Sequence, residues 1–325
     1  MTPRAPIQRL LSVGSILADI RIEVPSLPPR GGDVLGSSAT VMAGGGFNIL
    51  AAASRQGLPA LFAGLHGTGP YGTRIREELA REGIATLLPP SPEADSGFCI
   101  VLVEPDGERT FVTSPGIEAS LGERALSDIQ LTESDAVFVS GYDLCYPQLG
   151  PAIGAWIGRL PLAVWLIVDP GPLAAEIPPA IINAAMSRAS IWTMNRREAA
   201  LLGGTTDLSE LQRRIRPRLP PDALLIIRDG AAGVHFCFDG CATFHTIPAP
   251  RVAMVDSTGA GDAHTGVLIA AFAHKIDPLW AVPRANAAAA LSVTRPGSAT
   301  APNREELDRF LAELDRKARR HEAEA

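Results

Sequence analysis

Val255-Asp256-Ser257-Thr258-Gly259-Ala260-Gly261-Asp262-Ala263-His264-Thr265-Gly266 joins a run of small residues directly to an apolar helical pattern. A helix that opens on Gly-Ala-Gly presents unpaired N–H groups and the positive end of its dipole, and the glycines let an anion approach the backbone closely. Gly259, Ala260 and Gly261 therefore read as a phosphate cradle. Asp262 stands just beyond those donors, where its carboxylate can take a proton from an attacking hydroxyl. A first-turn acid also serves as an ordinary helix-terminal charge, so the segment needs support from the rest of the chain.

Downstream the chain stays helical over Gly259 to His274, Pro278 to Val293 and Arg304 to Ala318, and the abundance of Ala implies close helix packing. Upstream, Leu10 to Gly14, Ala60 to Leu65, Ala136 to Ser140, Leu162 to Val168, Ile191 to Met194 and Leu224 to Arg228 are short apolar runs of the buried parallel-strand type. Helical patterns such as Tyr71 to Arg81, Leu121 to Ile129 and Leu208 to Ile215 lie between them, which predicts a parallel sheet covered on both faces. Extended sequence at 19–41 and a hairpin signature at 97–113 break the rhythm and are expected to form a small lid outside that sheet. No linker divides the chain, so residues 1–325 are expected to form one domain.

Composition narrows the chemistry. A 46% hydrophobic fraction excludes disorder, and a net charge of −6 argues against nucleic acid or an anionic membrane as the main partner. Lys275 and Lys317 are the only lysines, and neither follows a glycine-rich loop or sits on a strand as P-loop and protein-kinase chemistry requires. The longest apolar stretch falls far short of the roughly 20 residues that span a bilayer, and the N-terminus lacks a signal pattern, so a cytoplasmic location is expected. His235, Cys237, Cys241 and His245 are all zinc-ligand types. An Asp239-Gly240 turn pairing Phe238 with Cys241 and Cys237 with Ala242 would put His235 and Cys237 on one face and Cys241 and His245 on the other, which favours an ordinary hairpin.

Three further elements carry polar or glycine-rich chemistry. Ala43-Gly44-Gly45-Gly46-Phe47-Asn48 offers bare backbone to a ligand, and Asn48 both donates and accepts toward a sugar hydroxyl. Asn195-Arg196-Arg197-Glu198 follows a strand end, and one helical turn separates its Asn from its Glu, although helix capping explains Asn195 equally well. Gly67-Thr68-Gly69-Pro70-Tyr71-Gly72 fits a dinucleotide fingerprint. It lies after a later strand, however, with Pro70 deleting one N–H and only Glu93 and Asp95 available as the partner acid.

Together these elements resemble the ribokinase-like (PfkB) sugar kinase family over nearly the whole chain. The family's Gly-Gly-x-x-x-Asn, Asn-x-x-Glu, Gly-x-x-Gly and Asp-Thr-x-Gly-Ala-Gly-Asp motifs match Ala43 to Asn48, Asn195 to Glu198, Gly230 to Gly233 and Asp256 to Asp262. Ala43 replaces the first motif glycine, Phe47 is bulky beside Asn48, and His264 replaces a usual Phe as a packing residue. The resemblance implies a Rossmann-type three-layer α/β/α core with a β-sheet lid, and transfer of the γ-phosphoryl group of ATP to a hydroxymethyl group. Asp262 would be the base, with Gly259, Ala260 and Gly261 as the anion hole. Asp19, Asp33, Gly44, Gly45 and Asn48 would hold the sugar, with Asp33 on a lid strand. Asn195, Glu198, Arg228, Gly230, Gly233 and Asn286 would serve the nucleotide, Glu198 holding Mg²⁺ through water. Asp256, Thr258, Ser292 and Gly297 would hold a potassium ion. The lid would form a homodimer through Val101, Val103, Phe111 and Thr113. A nucleoside kinase of the same family and an NAD-dependent oxidoreductase using Gly67 to Gly72 are the rival readings.

Overall fold

A computed structural model describes residues 4–324 apart from 239, 240 and 242. Its strands are β1 (Arg9–Val13), β2 (Ile16–Glu23), β3 (Ser38–Gly45), β4 (Ala60–Phe62), β5 (Ala85–Thr86), β6 (Phe98–Val103), β7 (Arg109–Ser114), β8 (Asp135–Ser140), β9 (Trp165–Asp169), β10 (Ile191–Asn195), β11 (Leu224–Arg228), β12 (Val234–Cys237) and β13 (His245–Ile247). The helices are α1 (Gly46–Arg55), α2 (Pro70–Arg81), α3 (Glu123–Ser127), α4 (Gly141–Cys145), α5 (Leu149–Ile157), α6 (Pro179–Arg188), α7 (Arg196–Gly203), α8 (Leu208–Ile215), α9 (Ala260–Ala273), α10 (Pro278–Ser292) and α11 (Arg304–Glu324). The pattern expected over Leu121 to Ile129 shortens to α3, preceded by a 3-10 turn at Ile117–Ser120.

The main sheet has nine strands in the order β13-β12-β11-β10-β9-β8-β1-β4-β5. The six expected strands and β5 pair in parallel, and β12 pairs antiparallel with both β11 and β13 at one edge. Alternation of period two explains the two covered faces. Leu10, Phe138, Ile167, Ile191 and Ile226 face one core, while Leu11, Val139, Val168, Trp192 and Ile227 face the other. Residues of α1, α2, α9, α10 and α11 pack on the first, and residues of α5, α6, α7 and α8 on the second. The chain leaves β1 toward β4 on one side and returns to β8 on the other, so the strand order reverses beside β1, where open α/β folds bind ligands at the carboxyl edge.

The lid is a four-stranded sheet in the order β3-β2-β6-β7. It begins earlier than expected, at Ile16, and β3 runs on to Gly45, so Gly44 and Gly45 are strand residues rather than loop. Asp33 lies in the exposed connection between β2 and β3, not on a lid strand, and its carboxylate accepts from the neighbouring Val34 N–H. Register places Asp19, Cys99 and Thr113 side by side, with Arg21, Val101 and Phe111 next along the same face. Val101, Val103, Phe111 and Thr113 thus share the face of Asp19 and alternate, as expected, with the residues of an outward apolar surface. That surface is Ile20, Ile22, Val41, Ile100, Leu102 and Val112.

The Asp239-Gly240 turn lies outside the described residues. Its flanking strands pair Phe236 with His245, two residues out of the expected register, and Cys241 packs against the same core as Cys237 rather than opposite it. Among the described residues no helix is long and apolar enough to cross a membrane.

Small residues set the contact between α1 and α9. A Cβ on Gly266 of α9 would come within 2.5 Å of Ile49 O and 2.6 Å of Ala52 Cβ on α1. Gly266→Val should therefore overpack this contact and lower stability by about 1–3 kcal/mol in denaturant unfolding. An unchanged midpoint would show that α1 and α9 separate without cost.

Candidate active site

Gly259 precedes α9 with φ of +72°, a left-handed conformation, and a Cβ there would meet Ser298 O at 1.9 Å. No side chain caps α9, so its first-turn N–H groups face the carboxyl edge of the sheet without a side-chain partner. Asp262 is in that first turn, and the Asn48 amide of α1 donates to its Oδ2 at 2.9 Å. Burial raises the Asp262 carboxyl to about 6; the Asn48 bond opposes this, nearby Asp169 adds to it, and Arg228 opposes it. Asn48 is thus turned toward the acid, and its Oδ1 is buried without a partner.

Arg228, at the end of β11, organises the neighbouring charges. Its guanidinium donates to Asp169 Oδ2 at 2.9 Å, stands 3.7 Å from Glu198 Oε2, and reaches the Gly261 carbonyl and Thr265 Oγ1 at 3.3 Å each. Burial pushes the Glu198 carboxyl up, Asp169 adds to this, and Arg228 opposes it. Asn195 and Glu198 form a full capping box on α7: Asn195 N donates to Glu198 Oε2 at 2.7 Å, and Glu198 N to Asn195 Oδ1 at 2.9 Å. The capping reading therefore holds for Asn195, while Glu198 also joins the charge cluster. Asp169, Glu198 and Asp262 thus gather three carboxylates around one guanidinium.

The lid brings Asp19 against this cluster. Burial, then Asp262 and Glu78, raise its carboxyl to about 7. A Cβ on Gly44 would fall 2.0 Å from Asp19 Oδ2, so this glycine leaves room for the acid. Gly230 and Gly233 flank a 3-10 turn; open space surrounds Gly230, whereas a Cβ on Gly233 would strike the Ile247 carbonyl at 2.0 Å. Asn286 donates to Pro248 O at 3.0 Å and so fixes the chain beyond β13. His264 is pushed down to about 3 by burial, then by Arg228, and stays neutral.

Two expectations meet obstacles. Asp256 accepts from Thr258 N at 2.9 Å, Thr258 Oγ1 at 2.6 Å and Gly297 N at 3.1 Å, and it faces the guanidinium groups of Arg109 and Arg21, so it does not fit a monovalent cation. At α2, Asp95 accepts from Tyr71 N and Gly72 N at 2.9 Å each, filling the helix terminus that a dinucleotide pyrophosphate would need. The oxidoreductase reading loses its site.

Asp169, Arg109 and Arg21 escaped the sequence reading. Asp169 carried a signal, an acid closing the apolar run of β9 at the carboxyl edge. Arg109 meets Thr258 across 149 residues of chain, which no local pattern reveals.

The sequence matches the pfkB family carbohydrate kinase description over residues 7–306. The chain is 32% identical to the sugar kinase YegV of Escherichia coli (strain K12), covering 92% of this chain and 93% of that protein. It is 28% identical to a ribokinase of Haemophilus influenzae, over 93% and 98% of the two chains. Among solved structures it is similar to ribokinase from Thermotoga maritima, with a TM-score of 0.79 at 23% identity over 94% of this chain and all (100%) of that one. It is also similar to Arabidopsis thaliana ribokinase complexed with ribose and ATP, with a TM-score of 0.74 at 21% identity over 94% and 99% of the two chains.

The raised acid has a thermodynamic signature. With a folded value of about 7 against 3.8 for the free group, Asp19 retains a proton in the fold that the unfolded chain has released, so its burial costs stability increasingly as pH rises between those values. Asp19→Asn should therefore melt about 2–4 °C above the wild type at pH 8 and match it near pH 4. A mutant less stable at pH 8 would show that the Asp19 charge is stabilised in the fold.

Proposed function

The chain belongs to the pfkB family of carbohydrate kinases, phosphotransferases with an alcohol acceptor, and on that premise we propose that it transfers the γ-phosphoryl group of ATP to a hydroxymethyl group of a sugar or sugar-like compound, with Asp262 as general base. The observation that carries this reading is the Asn48–Asp262 bond beside the uncapped N-terminus of α9. One side chain positions the base, and the same helix supplies donors for the charge that develops on the phosphoryl oxygens.

The acceptor would lie between Asp19 and Asp262. Asn48 Oδ1, buried and unpartnered, is an acceptor suited to a substrate hydroxyl, and the Asp19 carboxyl can hold two more. Asp262 takes the proton from the attacking oxygen as its bond to the γ-phosphorus forms and the bond from that phosphorus to the bridging oxygen breaks, releasing ADP. Gly259, Ala260 and Gly261 hold the phosphoryl group, and Arg228 braces that turn through the Gly261 carbonyl. Asn195, Glu198, Gly230, Gly233 and Asn286 would serve the nucleotide half. Mg²⁺, held through water by Glu198 and Asp169, would offset the charge of the phosphates. The lid would exclude water, whose attack would hydrolyse ATP.

A nucleoside acceptor remains the second reading. Phe111 shares the face of Asp19 and is 55% exposed, and Tyr142 is 46% exposed, so flat apolar surface is available for a base. Activity on a panel of sugars and nucleosides separates the two. Homodimerisation through the lid and a cytoplasmic location complete the proposal. The dimer contact would use the outward face, where Val41 is 39% and Val112 58% exposed.

Asp262→Asn should keep ATP affinity and lose about 10²–10⁴-fold in kcat, because the amide preserves shape and accepts no proton. In the wild type, kcat/KM should fall as pH drops below about 6, where Asp262 takes up its proton. Near-normal turnover by the mutant on the acceptor the wild type prefers would sink the assignment. Val41→Asp with Val112→Asp should yield monomers by light scattering; an unchanged dimer, or a wild type already monomeric at micromolar concentration, would remove the lid interface.

A further inference from the structure

Two cationic side chains of the lid converge on the loop that leads into α9. Arg109 of β7 donates to the Thr258 hydroxyl and to Ser257 Oγ at 3.1 Å, and stands 3.5 Å from Asp256 Oδ1. Arg21 of β2 stands 3.9 Å from Asp256 Oδ2. The Asp256 carboxylate also takes the Thr258 N–H, the Thr258 hydroxyl and the Gly297 N–H, which ties this loop to the segment whose Ser298 carbonyl crowds Gly259. Both oxygens are occupied by donors, and two positive charges already balance the acid. A potassium ion on Asp256 would have to displace a guanidinium and then stand beside it, against like-charge repulsion.

We infer that Arg109, seconded by Arg21, is a positioning residue that does for the anion-hole loop what a bound monovalent cation would do, so that phosphoryl transfer needs the lid and not potassium. The guanidinium fork engages two hydroxyls and a carboxylate at once, fixing residues 256–258 and through them the N–H groups of Gly259 to Gly261. Because Arg109 is carried on the lid, the shape of the anion-hole loop is tied to the position of the lid. This rests on the reading of residues 259–262 as the site of transfer.

The test is calorimetric binding of Mg-ADP, alone and with fluoroaluminate as a mimic of the phosphoryl group in flight. Full-length wild type, Arg109→Ala and Arg109→Lys are compared in potassium, sodium and tetramethylammonium chloride at equal ionic strength. The wild-type fluoroaluminate complex should be equally tight, within about twofold, in all three salts. Arg109→Ala should keep Mg-ADP affinity, lose about 10–100-fold on the fluoroaluminate complex, and recover part of it with added methylguanidinium. Arg109→Lys should fall between, having the charge without the fork. A wild-type complex that tightens about tenfold in potassium, or an Arg109→Ala complex as tight as the wild type, overturns the inference. If Arg109→Ala also loses Mg-ADP, the wild-type salt series and Arg109→Lys decide by the same criteria. Failure of the wild type to bind Mg-ADP in any salt overturns the kinase reading instead.

Discussion

The guanidinium of Arg228, only 13% exposed, sets the terms on which the rest of the site can exist. It draws Asp169 from β9, Glu198 from α7 and the first turn of α9 to the end of β11, and each contact needs its own element in register. Buried carboxylates left alone take up protons, and a buried charge stripped of its partner costs about 3–5 kcal/mol. One cation therefore makes it tolerable to gather three acids at one sheet edge. The balance is incomplete, with one cation set against three acids.

The second constraint is steric. Asn48 and Asp262 lie on different helices, and their 2.9 Å bond requires those helices to touch almost backbone to backbone. Gly266 against Ile49 and Ala52 achieves this, with Ala263 and Ala301 filling the remaining gap. Small side chains at 52, 263, 266 and 301 are thus a condition of the site's geometry.

These two constraints also explain what could be read from residues alone. The strands β1, β8, β10 and β11 announce themselves because both faces are buried and the runs are continuous. The 255–266 segment is legible because its small residues are contiguous and run straight into an apolar helix. Asp33 was misplaced because a Pro/Gly-rich stretch marks irregular backbone without saying where pairing resumes. The β12–β13 register was missed because a two-residue turn and a longer connection bring similar residues together. Asn48 was recognised as polar and functional, yet its aim at Asp262 depends on a helix 214 residues away in the chain. Arg109 and Arg21 had no signal at all, since arginines on half-exposed strands are commonplace until a distant loop gives them a partner.

The lid is assembled from two separate pieces of chain. β2 and β3 precede the sheet strands β4 and β5, while β6 and β7 follow them, and the pieces join through parallel pairing of Ala18 with Phe98. Closing a loop of that length costs entropy before any contact repays it. The main sheet needs a still longer closure, from Leu10 of β1 to Ala136 of β8, and the lid strands all lie within the first 114 residues. A nascent chain therefore holds all four lid strands before it holds β10, β11 and the first turn of α9, so the lid can pair while the far half of the main sheet is still unmade.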